Sequence, residues 1–229
     1  MRRTMLAALA ALLLITGALV TGCGDDDNDE TASTTGSQTE ATAAGTDSGA
    51  AELRAGLTAL LQEHVYLAGT AVAQGVGNGL DSKEFEASAA TLDANSVGLS
   101  EAIGSVYGDE AGEQFLALWR DHISFFVDYT KARAGKDDAA ADKARADLDG
   151  YRAEFGAFIA SANPNLTKEA VAEELVPHVD SVFDTIDAVV AGDPETFDLL
   201  RAAAGHMPAT ANVLAGAIVE QMPDKFGSQ

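Results

Sequence analysis

From Ala51 to Met222 apolar residues recur every third or fourth position, and glycine, proline and capping residues interrupt the runs at near-regular intervals. That period belongs to helices with one buried stripe, and almost nowhere does the chain alternate as a half-buried strand would. Leu53, Leu57, Leu60, His64, Leu67 and Ala71 mark a first helix that ends in the cluster Gly75 to Gly79. Ser82 reads as the N-cap of a second, with Phe85, Leu92, Ser96, Leu99, Ile103 and Val106 on its stripe, and Gly108 stops it before an Asp109 cap. Phe115, Leu118, His122, Phe125 and Tyr129 make a third, with Trp119 and Phe126 beside them.

Asp137 or Asp138 opens a fourth helix bearing Leu148, Tyr151, Phe155, Phe158 and Ile159. Thr167 caps a fifth, with Val171, Leu175, His178, Val182, Ile186 and Val189. Gly192-Asp193-Pro194-Glu195 is the strongest boundary, with a C′ glycine, a capping acid and proline in the first turn. The sixth helix carries Leu199, Ala203, His206, Thr210, Val213 and Ala217. Short connections force antiparallel neighbours, so the expected fold is all-α, an up-and-down bundle of about six helices over residues 51–229.

The segment before it has a different character. Met1-Arg2-Arg3, an apolar run to Val20 and then Thr21-Gly22-Cys23 form a basic, apolar and small-residue sequence of the kind that directs secretion, too short for a convincing spanning helix. Val20 to Cys23 resembles the bacterial lipobox, which implies a signal peptide over residues 1–22, acylation of Cys23 and anchorage to membrane lipid on the extracytoplasmic face. Residues 23–50 read as a disordered acidic tether, with seven acids and no base between Gly24 and Ala50.

Composition narrows the function classes. Cys23 is the only cysteine, so if lipid consumes it no disulfide, catalytic thiol or thiolate metal site remains. A formal charge of −22 argues against nucleic acid, whose phosphates need clustered Lys and Arg. No Glu-x-x-His, His-Glu-x-x-His, Gly-x-Ser-x-Gly or phosphate loop is present, and no catalytic residue is assigned. Asp180, Asp184 and Asp187 read as a solvated flank.

The unusual pattern lies in the histidines. All four, His64, His122, His178 and His206, fall on apolar stripes near the middle of their helices, where matched antiparallel helices share one height. A buried imidazole with unpaired nitrogens costs about 1–3 kcal/mol. Four such groups therefore suggest metal ligation, with a transition metal ion or haem as cofactor and Asn95 and Tyr151 as supporting partners. The alternative is a non-catalytic structural or interaction lipoprotein in which the histidines form a polar layer that fixes register, with protein partners unassigned. Pro177 and Pro208 stand beside the layer and are expected to bend their helices.

Ser105-Val106-Tyr107-Gly108, Leu118-Trp119-Arg120-Asp121-His122-Ile123 with Asp128-Tyr129-Thr130, and His206-Met207 with Ala217 to Pro223 resemble a family of secreted bacterial helical proteins. In some of them a similar region lies next to a domain like the copper amine oxidase N-terminal domain. The resemblance implies an extracytoplasmic helical domain and carries no activity.

Overall fold

The computed structural model describes residues 48–226. Cys23, the leader and nearly all of the tether lie outside them. The fold is all-α: α1 Gly49–Asn78, α2 Lys83–Tyr107, α3 Asp109–Gly135, α4 Asp138–Ala162, α5 Lys168–Glu174, α6 Val176–Ala191, α7 Thr196–Gln221 and α8 Pro223–Phe226.

Local chemistry explains most of the ends. Side chains of Ser48, Ser82, Asp137 and Thr167 accept the exposed N–H groups of α1, α2, α4 and α5. Gly79 and Gly108 turn the chain at φ 97° and 95°, a region open to glycine, and Gly192 closes α6 in the left-handed conformation at φ 68°. Asp109 is the first residue of α3 rather than its cap, because Gly108 both ends α2 and begins α3. Asp193 does not cap α7 as expected: its carboxylate accepts from Glu195 N at 2.9 Å in the turn ahead of the helix, which starts at Thr196 without a side-chain cap.

Each helix packs on the next, with α5 and α6 sharing the fifth place, and α7 closes the ring on α1. Contacts such as Asp93–Arg120 between α2 and α3, and Gly69–Leu200 with Gln62–Ala204 between α1 and α7, run in opposite chain directions, the mark of antiparallel neighbours. Alternate members of the ring, α1, α3 and α6, also touch one another across the middle. α2 and α3 approach closely at Gly112, where a Cβ would lie 2.8 Å from the Ser100 carbonyl oxygen. The core centres on Leu99, Tyr129, Leu148, Ile186 and Val65, each almost wholly buried.

The two prolines have different outcomes. The fifth helix divides at Leu175, two residues before Pro177, so the single expected helix is two. With the ladder interrupted there, Arg152 Nη1 of α4 donates to the Ala172 carbonyl at 3.3 Å. α7 instead continues through Pro208. Proline has no N–H for the carbonyl four residues back, and that carbonyl, Ala204, accepts from Gln62 Nε2 of α1 at 3.4 Å.

The stripe of α7 is one residue out of the expected phase. Ala203, Thr210 and Ala217 of the expected stripe are buried, but the face centres on Ala204, Met207, Ala211, Ala215 and Ile218, while Val213 is exposed and His206 points to solvent. Leucine or valine side chains in place of the alanines would have marked the inner face. A segment reading Ala202-Ala203-Ala204-Gly205-His206 offers little apolar contrast between adjacent phases.

Candidate functional site

Three histidines come together and the fourth does not. α1, α3 and α6 contribute His64, His122 and His178, all buried, and the three line one cavity of about 50 Å³ together with Phe126, Ile186 and Leu200. These three helices run parallel and meet at the bundle centre, where His64 and His122, each midway along its helix, come together with His178 in the first turn of α6. His206 is an exposed residue of α7, so the expected four-histidine layer contains three.

The Nε2 atoms of His64 and His122 lie 3.3 Å apart, within hydrogen-bond reach, with the donor set by the tautomers of the two rings. Neither Nδ1 makes a hydrogen bond of good geometry, and the same holds for His178 Nδ1. Each ring of the pair nevertheless has an acceptor close by. The Asn95 amide nitrogen donates to the Leu60 carbonyl at 3.0 Å and to Glu63 Oε2 at 2.8 Å, which leaves Oδ1 as its acceptor toward His64. For His122 the acceptor is the Trp119 backbone, one turn back.

One Nε2–H can donate to the other Nε2; a proton on each Nδ1 instead would leave two lone pairs facing one another, which a cation between them would relieve.

The surroundings keep the rings uncharged. Burial pushes His64 down to about 3, assisted by the charge of His178 and opposed by Asn95. His178 is held at about 4 by burial and then by His206. His122 lies well below its ordinary value through burial, His64 and His178, with the Trp119 backbone opposing. Desolvation is the leading cause in all three, and neutral imidazole is the form that binds metals.

Aromatic packing fixes the rings. Trp119 lies 4.9 Å from His64 and 4.5 Å from His122, centroid to centroid, and Tyr151 stacks on His122 at 5.0 Å. Asn95 and Tyr151 thus stand beside the imidazoles. The residue pattern places Trp119 beside the α3 stripe and gives it no part in the site. Its position three residues before His122 is the signal that places both on one helix face.

The cavity has few polar groups besides the imidazoles, since the hydroxyls of Thr130 and Thr185 donate to carbonyls of their own helices at 2.8 Å each. A second cavity of about 30 Å³ has Met207 and Thr210 in its wall, and His178 borders both spaces.

Haem does not fit here. Two axial imidazoles on one iron stand about 4 Å apart, at bonds near 2.0 Å, and a cavity of about 50 Å³ has no room for the macrocycle. Among the described residues no three His, Cys, Asp or Glu side chains converge closely enough to hold a metal ion as they stand. Nor is any described helix long and apolar enough to cross a membrane. No known family matches the chain, and neither a curated protein nor a solved structure does.

Proposed function

We propose that this is an extracytoplasmic lipoprotein, anchored through acylated Cys23, whose bundle binds one divalent transition ion between His64 and His122. One observation carries the reading: two neutral imidazoles, with Asn95 and the Trp119 backbone beside them as acceptors, bring their Nε2 atoms to 3.3 Å of one another. Two nitrogens on a tetrahedral ion, each bonded at about 2.0–2.1 Å, stand about 3.3–3.4 Å apart. The separation therefore suits an ion such as Zn²⁺ without moving either ring far.

His178 supplies a third nitrogen by turning toward the cavity it already borders. Asn95 and the Trp119 carbonyl orient the two ligating rings, the usual task of groups behind a metal-bound histidine. Binding is the function and no reaction is assigned.

The test is titration of the metal-free full chain with Zn²⁺ or Co²⁺, with stoichiometry, Co²⁺ visible absorption and melting temperature as readouts. One ion per chain, tetrahedral Co²⁺ bands and a melt lowered by chelator are expected, and His64→Gln and His122→Gln should each remove them with helicity retained. No ion held by the wild type at micromolar metal would overturn the reading.

A second reading is supported by the incomplete convergence of ligands. In it the three imidazoles, Asn95 and Tyr151 are only a buried polar layer that fixes register in an interaction lipoprotein. Metal then changes nothing, and exchanging the pair for apolar residues of similar size leaves the fold unharmed or more stable.

A further inference from the structure

The break at Leu175 leaves space on the outside of the bundle. α4 packs closely on α5 and scarcely on α6, since past the break α6 packs on α7, α1 and α3 instead. A pocket of about 140 Å³ remains between α4 and α6, larger than either cavity of the core. Arg145, Asp149 and Arg152 enter it from one face of α4. Val176, Val179, Asp180 and Phe183 enter it from one face of α6. The two rows run in opposite directions: Arg145 lies over the Phe183 ring at 4.0 Å, and Arg152, at the other end, reaches the Ala172 carbonyl.

Two of the four charged groups satisfy each other, for Arg152 Nη2 donates to Asp149 at 2.6 Å. The other two do not. Arg145 spends Nη2 on the Tyr129 hydroxyl and holds it 4.0 Å from Asp187, while its Nε and Nη1 have no hydrogen-bond partner among the described residues. The carboxylate of Asp180, which residue order places on a solvated flank, makes no hydrogen bond or ion pair among the described residues. A cation and an anion thus share one pocket without joining.

We propose that this pocket binds a small α-amino acid as its zwitterion, with the carboxylate on Arg145, the ammonium on Asp180 and the alkyl side chain against Val176 and Val179.

Three physical points support it. A guanidinium fork matches a carboxylate in two parallel hydrogen bonds, and Arg145 is already held over the Tyr129 and Phe183 rings. A simple anion would be repelled by a chain of formal charge −22, and a simple amine would find no advantage here over the many other acids of the surface. A molecule that carries both signs meets neither difficulty. Size sets the third limit: a cavity of roughly 150 Å³ admits benzene, so about 140 Å³ suits an amino acid between alanine and valine in bulk.

The experiment is titration of the full chain with L-alanine, followed by calorimetry and by the amide NMR signals of Val176, Val179 and Phe183, with and without Zn²⁺. Saturable binding in the millimolar range or tighter is expected, the same with and without the ion, whereas propionate and isopropylamine, each carrying one of the two charges, should bind far more weakly. Asp180→Asn should weaken L-alanine by about tenfold or more, the order that loss of one charged hydrogen bond gives, with an unchanged melt because the side chain is exposed and unpartnered. Arg145→Lys keeps the charge and loses the fork, and should weaken binding as well. Asp184→Asn, exposed on the same helix outside the pocket, should have no effect.

A wild type that shows no saturation with L-alanine at tens of millimolar overturns the proposal, as does an Asp180→Asn variant that binds it equally well. Propionate bound as tightly as L-alanine makes the pocket a plain anion site, and isopropylamine bound as tightly makes it one acid among many; either result also overturns it. None of these outcomes bears on the ion between His64 and His122.

Discussion

Gln62 Nε2 of α1 donates to the carbonyl oxygen of Ala204 on α7, the acceptor that Pro208 leaves without its helical partner. A side chain from a neighbouring helix thus completes a backbone ladder that proline interrupts, and Pro208 sits in α7 without ending it. Gln62→Ala should cost about 1–2 kcal/mol, the price of a part-buried acceptor left unpaired. In Pro208→Ala the N–H returns, so the same Gln62→Ala change should cost less. Chemical denaturation of the four proteins measures the coupling, expected above about 0.5 kcal/mol. Strict additivity would show that the two residues act separately.

Acid should unfold the metal-free protein earlier than its carboxylates alone would require. Unfolded histidine takes its proton near pH 6.5, while in the fold His64 and His178 do so only at about 3 and 4, and His122 also well below 6.5. Between those values the unfolded chain binds more protons, so stability is complete above about pH 6.5 and falls as pH drops toward 4. Each ring contributes a slope of about 1.4 kcal/mol per pH unit inside that window. Urea midpoints from pH 8 to 4.5 read the effect. His64→Gln with His178→Gln should flatten the curve, and a flat wild-type curve would contradict buried neutral rings.

Gly112 marks a tight backbone crossing of α2 and α3, and Gly112→Ala should destabilise by about 1–3 kcal/mol despite alanine's better helix propensity. The new Cβ would press within 2.8 Å of the Ser100 carbonyl, a backbone atom that cannot turn aside. Gly98→Ala, with its nearest neighbour a leucine methyl at 3.5 Å, should be neutral or stabilising. Thermal melts of the two variants should therefore move apart.

Asp187 links three helices. Tyr129 donates to its two carboxylate oxygens at 3.0 and 3.1 Å, Arg133 Nε approaches at 2.7 Å, and Arg145 lies over the Phe183 ring at 4.0 Å with its Nη2 4.0 Å from the carboxylate. The group is about one-third exposed, so water screens it, and Asp187→Ala should cost about 1–2 kcal/mol. Asp184→Ala, on the exposed side of the same helix, should cost less than about 0.5 kcal/mol. Equal losses by denaturation would return Asp187 to the solvated flank.

Much of this arrangement can be read from residue order. Caps at Ser82, Asp137 and Thr167 and the glycine stops locate helix ends, because their effects act within one turn of chain. The stripes on α1 and α3 place His64 and His122 inside, since Leu57, Leu61, Phe115 and Trp119 leave one apolar face and no competing one. His206 was misplaced where contrast fails: the alanines around it permit two phases, and burial of Met207 decides between them. The break at Leu175 was similarly hidden, because Pro177 allows either a bent helix or a divided one. The packing of α4, with Arg152 reaching the Ala172 carbonyl, accompanies the second outcome.

Residue order by itself determined an acidic all-helical chain with short turns and put four histidines on apolar stripes, because helix period, capping and composition are local or additive properties. Only the tertiary structure decided that α1, α3 and α6 meet in parallel at the centre, that two of those histidines face each other at 3.3 Å, and that the fourth looks outward. Those facts depend on how six rotations are settled at once by packing. A rotation of one residue, about 100° at 3.6 residues per turn, separates a core imidazole from a solvent-facing one.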